Sequence, residues 1–322
     1  MGWRSRFQNL ALLALILLPV AATHSAAAEG KLRVGRPQAD SFSFAPIDVG
    51  IEQGIFKKHG VEIESSNFAG DAKLQQAMAA DAVDVGIGSG PELAFIAKGV
   101  PELGIAVQAN QPLLLVLVAR KDEPMTTVAD LKGRTIAIST AGSLTEWLVR
   151  ETSRQQGWGP DGIKMVPLGA NAAQIAAIKT NQVDGMVTSV ALSYKLADEG
   201  TTRTIATFGN IVSDFHIGII YASDKAIAQR PDDLRNFLAG WFETIAFIRG
   251  HKDVMVKKAA EIMNVTPEIA SRAYDDVMPM FSADGRFNPK ALAVLARSFV
   301  QMGELDKEPD MSKLYTERFL PN

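Results

Sequence analysis

Gly70–Ser89 reads GDAKLQQAMAADAVDVGIGS, and one hundred residues later Ala170–Ser189 reads ANAAQIAAIKTNQVDGMVTS. The two stretches are identical at Ala72/Ala172, Ala77/Ala177, Val83/Val183, Asp84/Asp184 and Ser89/Ser189. Each runs from a residue suited to an N-cap (Asp71, Asn171) through a helix and a turn to a β-branched strand that ends on serine. Two generic αβ units could share this much by chance, but the common order predicts two lobes built on one plan. Ser89 and Ser189 then lie at the carboxyl ends of equivalent strands, where open α/β sheets bind ligands.

Outward from this pair, short β-branched runs alternate with amphipathic stretches. Strands are expected at Leu32–Gly35, Val61–Glu64, Val83–Gly88, Gly104–Gln108, Leu113–Ala119, Thr135–Ser139, Ile163–Val166, Val183–Thr188, Thr204–Phe208 and Ile217–Tyr221. Such alternation predicts mostly parallel sheets covered by helices on both faces, an α/β fold in two lobes. Ile47, Ile51 and Ile55, four apart, predict one buried helical stripe with Gly60 as its C-cap. Beyond Tyr221 only helices are expected. They open at Asp224, Pro231, Thr266-Pro267 and Asn288-Pro289, where a capping residue or an N1 proline stands ready.

Residues 1–28 have a different texture. Arg4 and Arg6 precede an apolar run from Leu10 to Val20, and Ala26 and Ala28 supply small −3 and −1 residues. This is the pattern of a cleavable export signal, its apolar core shorter than the roughly 20 residues of a spanning helix. The expectation is a periplasmic protein cleaved near Ala28.

Composition excludes several classes. The 322 residues are 47% hydrophobic and 21% charged with a net charge of −3, so no basic footprint for nucleic acid exists. With no cysteine, thiol nucleophiles, disulfides, Cys-ligated zinc and a lipid anchor on an N-terminal cysteine are ruled out. Neither a Gly-x-Ser-x-Gly elbow nor an H-x-x-x-H metal pair occurs. Gly86–Gly90 is glycine-rich but lacks a phosphate-loop lysine. Catalytic residues, metal ligands and cofactors are therefore not expected. His59 and His251 sit in charged helical surroundings, whereas His216 stands at a strand entrance and is kept as a candidate contact.

Two strand-to-helix turns of small polar residues, Gly88–Pro91 and Thr140–Ser143, could present helix N-termini to a polar or anionic group without an arginine. Gln38–Phe44 mixes amides, hydroxyls and aromatic rings. Gln108, Asn110 and Gln111 lie between two apolar strands, where polar side chains suit a wet cleft.

The order of KLRVGRPQ, VGIEQGIFKKHGVEIE and AMAADAVDVGIGSG resembles the periplasmic substrate-binding proteins of nitrate/sulfonate/taurine-type ABC importers. DLKGRTIAISTAGSLTEWLVR, IKTNQVDGMVTS and SKLYTERFL continue it across the rest of the chain. The same superfamily (NMT1/THI5-like) includes thiamine-pyrimidine precursor binders and related synthases. The resemblance implies a periplasmic-binding-protein type II fold with a two-crossing hinge. Lobe one would comprise residues 29–112 plus 220–322, and lobe two residues 113–219. It implies a monomer that captures a small sulfonate- or nitrate-like anion by lobe closure and delivers it to a membrane permease. A neutral heterocycle or aromatic carboxylate is the alternative solute, and an enzyme of the pyrimidine-synthase or menaquinone-pathway type the alternative activity. Ligand contacts are expected at Gln38, Ser41, Phe42, Ser89, Gly90, Gln108 and Asn110 on one side. Thr140, Gly142, Ser143, Asn171 and Ser189 face them, with His216 in addition. Where sulfonate binders carry a Trp-Asp-Pro-like element, this chain has Ser189-Val190-Ala191-Leu192.

Overall fold

The structure, a computed structural model, describes residues 30–321; the expected export signal lies outside the described residues. All ten expected strands form, with ends shifted by a few residues: β1 Leu32–Arg36, β2 Ile63–Asn67, β3 Val85–Ser89, β4 Glu102–Ala109, β5 Leu115–Arg120, β6 Thr135–Ile138, β7 Lys164–Pro167, β8 Gly185–Ser189, β9 Thr202–Thr207 and β10 Gly218–Ser223. The Val, Ile and Ala side chains of all but the edge strands β2, β7 and β9 are buried, covered by helices as the near-continuous apolar runs require. The helices are α1 Ala45–Glu52, α2 Ile55–Lys58, α3 Asp71–Ala79, α4 Leu93–Ala97, α5 Leu144–Gln155, α6 Asn171–Lys179, α7 Val190–Asp198, α8 Phe208–Ile211, α9 Asp224–Gln229, α10 Pro231–Gly250, α11 Lys252–Met263, α12 Pro267–Val277 and α13 Pro289–Gln301.

The strands make two five-stranded sheets of matching order, β2-β1-β3-β10-β4 and β7-β6-β8-β5-β9. The chain passes from the first sheet to the second between β4 and β5 and returns between β9 and β10. In each sheet the first strand after a crossing slides between two others. β10 runs antiparallel to β3 and β4, and β5 antiparallel to β8 and β9. Only the remaining pairings, β1 with β2 and β3 and β6 with β7 and β8, are parallel. The sheets are thus evenly mixed rather than mostly parallel, because a strand arriving from the other lobe enters from the opposite end.

The hundred-residue repeat is exact in three dimensions. α3 and α6 start and stop one hundred residues apart, as do β3 and β8. Asp71 and Asn171 are the first helical residues rather than the caps. Gly70 and Ala170 hold the cap positions without side-chain bonds, and the Asp71 carboxylate instead accepts the Ser89 hydroxyl at 2.8 Å. The isoleucine stripe also breaks. Gly54, with φ of 68°, separates α1 from α2, leaving Ile51 38% exposed while Ile47 is fully buried.

The helical C-terminal block forms as read, with Thr266 accepting from Ile269 N–H and Asn288 from Lys290 N–H. Its helices pack on α1 and α2 of the first lobe, and α12 also reaches α7 of the second. Among the described residues no helix is long and apolar enough to cross a membrane.

Candidate functional site

Two adjoining cavities open between the carboxyl ends of the sheets. One, of about 330 Å³, runs from the β1–α1 loop to α6, β8 and the C-terminal helices. The other, of about 470 Å³, lies against α3, β3 and the hinge. Gln38, Ser41, Leu114, Leu115 and Ser139 line both, so the two form one cleft walled by both lobes.

Of the expected contacts, the fold brings eight to this cleft. Gln38, Ser41, Phe42, Asn171 and Ser189 line the first cavity. Ser89, Gln108 and Thr140 line the second, with Gln38 and Ser41 again. Ser41 is placed by capping its own turn, its hydroxyl accepting from Ser43 N–H. Phe42 is anchored by Tyr274 and Phe281, with ring centroids 6.5 and 6.4 Å away. Gln108 is fully buried; Nε2 donates to Ser43 O at 2.6 Å, and Oε1 has no partner.

The other five residues do not line these two cavities. Gly90 is packed on the hinge, where a Cβ would lie 1.8 Å from His216 O, so glycine is required by close backbone approach. His216 is fully buried, its Nε2 accepting from Asn288 N–H at 2.9 Å and its Nδ1 3.2 Å from Asn110 Oδ1. That arrangement places the ring proton on Nδ1, and burial holds the imidazole down to about 4. Asn110 is held at the crossing by this bond and by its backbone bonds to Met280 and Ile217. Gly142 and Ser143 line a small separate cavity with Trp147 and Gln301. Arg36 also stays in the protein, paired with Asp48 at 2.6 Å and bonded to Asn67.

Several N–H donors of the two polar turns are taken up within the protein. Glu92 Oε1 takes the Ser89 N–H at 2.5 Å, and Ile217 O takes that of Gly90. In the second turn Glu146 Oε2 accepts the Gly142 N–H at 2.7 Å, and Ser143 Oγ caps Glu146 N–H. Each turn gives one N–H to an acidic residue three or four positions on, a capping habit that competes with a bound anion for that donor.

Residues that sequence reasoning passed over complete the walls. Leu114 and Leu115 supply an apolar floor at the hinge, and Met263, Ala273 and Val277 bring in the C-terminal helices. Gln174 and Thr188, both buried, have Oε1 and Oγ1 without partners. Asp71, read only as a cap, lines the second cavity. Its position one hundred residues before Asn171 was the available signal. Neither cavity contains a lysine or arginine among its lining residues, whereas Asp40 and Asp71 supply two carboxyl groups. No group of histidine and acidic residues fit for a metal occurs among the described residues.

The chain is similar to the periplasmic aliphatic sulphonate-binding protein SsuA of Escherichia coli. They share 20% identity over 89% of this chain and 92% of that one, with a TM-score of 0.76. A putative sulfonate-binding SsuA of Methylobacillus flagellatus KT superposes with a TM-score of 0.74 at 17% identity, over 89% of this chain and 92% of its own. The desulfurization enzyme DSZB has the same fold, with a TM-score of 0.64 at 15% identity over 89% of this chain and 97% of its own. In sequence, a putative thiamine biosynthesis protein of Haemophilus influenzae is 27% identical over 144 residues, 44% of this chain and 45% of that protein. The chain thus spans less than half the length of this curated relative. The fold is the expected one of periplasmic binding proteins, in two α/β lobes. Residues 41–253 match the family described as NMT1/THI5 like. On that match, covering well over half of its length, the chain belongs to the NMT1/THI5-like family.

Proposed function

We propose that this protein is the non-catalytic solute-binding component of an ABC importer, a periplasmic monomer whose lobes close on a small molecule and hand it to a membrane permease. The carrying observation is the cleft between two sheets joined by two crossings, with Gln38, Ser41, Leu114, Leu115 and Ser139 shared by both of its chambers. A solute held there touches both lobes, so it binds the closed arrangement better than the open one and shifts the population toward closure. Relatives in the fold include sulfonate-binding proteins, which supports the receptor reading over the enzyme that DSZB represents.

For the solute, the sulfonate- or nitrate-like anion read from the sequence finds no basic side chain lining either cavity. Of the alternatives, a neutral heterocycle or an aromatic carboxylate, the heterocycle is supported by the partnerless acceptor oxygens of Gln108 and Gln174, which suit its hydrogen-bond donors, and the two carboxyl groups disfavour the carboxylate. Thermal unfolding and small-angle scattering with sulfonates, nitrate, aromatic acids and pyrimidines test the receptor reading. A binding solute raises Tm and lowers the radius of gyration. Chemical conversion of the solute by the purified protein would overturn it.

A further inference from the structure

Because the two lobes share one plan, residues that the plan needs recur one hundred positions apart. Asp84 and Asp184 each accept the N–H of a neighbouring strand, from Arg33 at 2.9 Å and Thr135 at 2.8 Å. Asp81 and Asn181 both turn the chain with positive φ, 57° and 59°. A cluster of buried polar residues found in lobe one alone is left over. Asp71, Gln75, Glu92 and Glu102 stand where lobe two has Asn171, Ile175, Leu192 and Thr202. The fold itself does not call for carboxyl groups there.

The cluster is wired to the cleft through Ser89. Glu92, 1% exposed, accepts from Ser89 N–H and Gln75 Nε2, both at 2.5 Å. Asp71 accepts the Ser89 hydroxyl at 2.8 Å. Burial raises the Asp71 and Glu92 carboxyls, and no lysine or arginine acts on either. Of the three acids only Asp71 lines the cavity. A second observation is independent of the acids. Gln108, fully buried, lines the same cavity with Oε1 unpartnered, its amide orientation set by the bond to Ser43 O.

We infer that Asp71 determines specificity by receiving a cationic nitrogen group of the solute, an ammonium or amidinium, with Gln108 Oε1 as a second acceptor. This rests on reading the cleft as a solute site. Such a group brings the countercharge that the buried acids lack, and its N–H donors meet acceptors on that wall. An oxyanion would meet the same acceptors and be repelled.

Isothermal titration of the purified protein with benzamidinium and phenethylammonium, against benzenesulfonate and nitrate, tests the assignment. A cationic probe is expected to bind, and Asp71→Asn, which installs the lobe-two residue, to weaken it at least tenfold while apo Tm stays the same or rises. Asp71→Ser gives the same loss by a second route if the amide disturbs α3. Cation binding untouched by both substitutions, or binding of the anions alone, overturns the assignment and leaves the receptor reading standing. If no probe binds and mass spectrometry finds no solute carried by the protein, both fall.

Discussion

Glu102 shows what a single buried residue does to the pH response. It is 2% exposed and neither carboxyl oxygen has a partner, and burial raises it to about 8. Folded Glu102 is therefore neutral at pH 7, while in the unfolded chain it ionises near 4.5. Its contribution to stability is complete below pH 4.5 and lost as pH rises through 8, at most about 5 kcal/mol. Glu102→Gln is expected to remove this loss, so urea midpoints of variant and wild type should diverge between pH 5 and 8. His216 acts with the opposite sense. Held down to about 4, it stabilises fully above its unfolded value of 6.5 and loses about 3 kcal/mol as pH falls to 4. Protonation at Nε2 would break the bond from Asn288 N–H that starts α13. A His216→Gln protein should show a flatter acid limb in the same titration.

Among the elements, α5 separates a structural turn from a binding one. Ser143 caps it by accepting from Glu146 N–H, and Trp147 one turn on stacks on Phe215 at 5.1 Å and donates to Gln301. Ser143→Ala is expected to cost about 1 kcal/mol of stability with little change in solute affinity, because Ser143 faces the α13 side. Denaturation paired with titration checks both halves. Why the cap was legible and its direction was not is a matter of physics. Capping is a local bond over three residues, whereas the face a turn presents depends on helices far along the chain. Asp71 is the converse: its residue type suits a cap, yet Ser89, eighteen positions on, takes its carboxylate.

For the whole molecule, the lobes meet outside the cleft as well. Arg272 of α12 lies over the Tyr194 ring of α7 at 3.9 Å and pairs with Asp198 at 3.1 Å, while the Tyr194 hydroxyl donates to Asp276. These exposed contacts favour the closed arrangement modestly, by about 0.2–1 kcal/mol for the ion pair. Arg272→Ala should lower solute affinity about twofold to fivefold and widen the interlobe distance measured by paired fluorophores in the apo protein. An unchanged distance distribution would show that the cleft walls alone set closure.

The ten strands, the capped C-terminal helices and the two-lobe repeat were legible in the sequence, because hydrophobic period, turn residues and caps act over a few neighbours. So was the equivalence of Ser89 and Ser189, a consequence of a plan written twice. Strand direction was not legible, since β5 and β10 owe their antiparallel places to arriving from the other lobe. Nor was the character of the cleft. The carboxyl at Asp71, the free oxygen of Gln108 and the withdrawal of His216 into the protein arise only when segments distant in sequence converge. Burial and pairing are properties of that convergence, and they decide which polar groups are left for a solute.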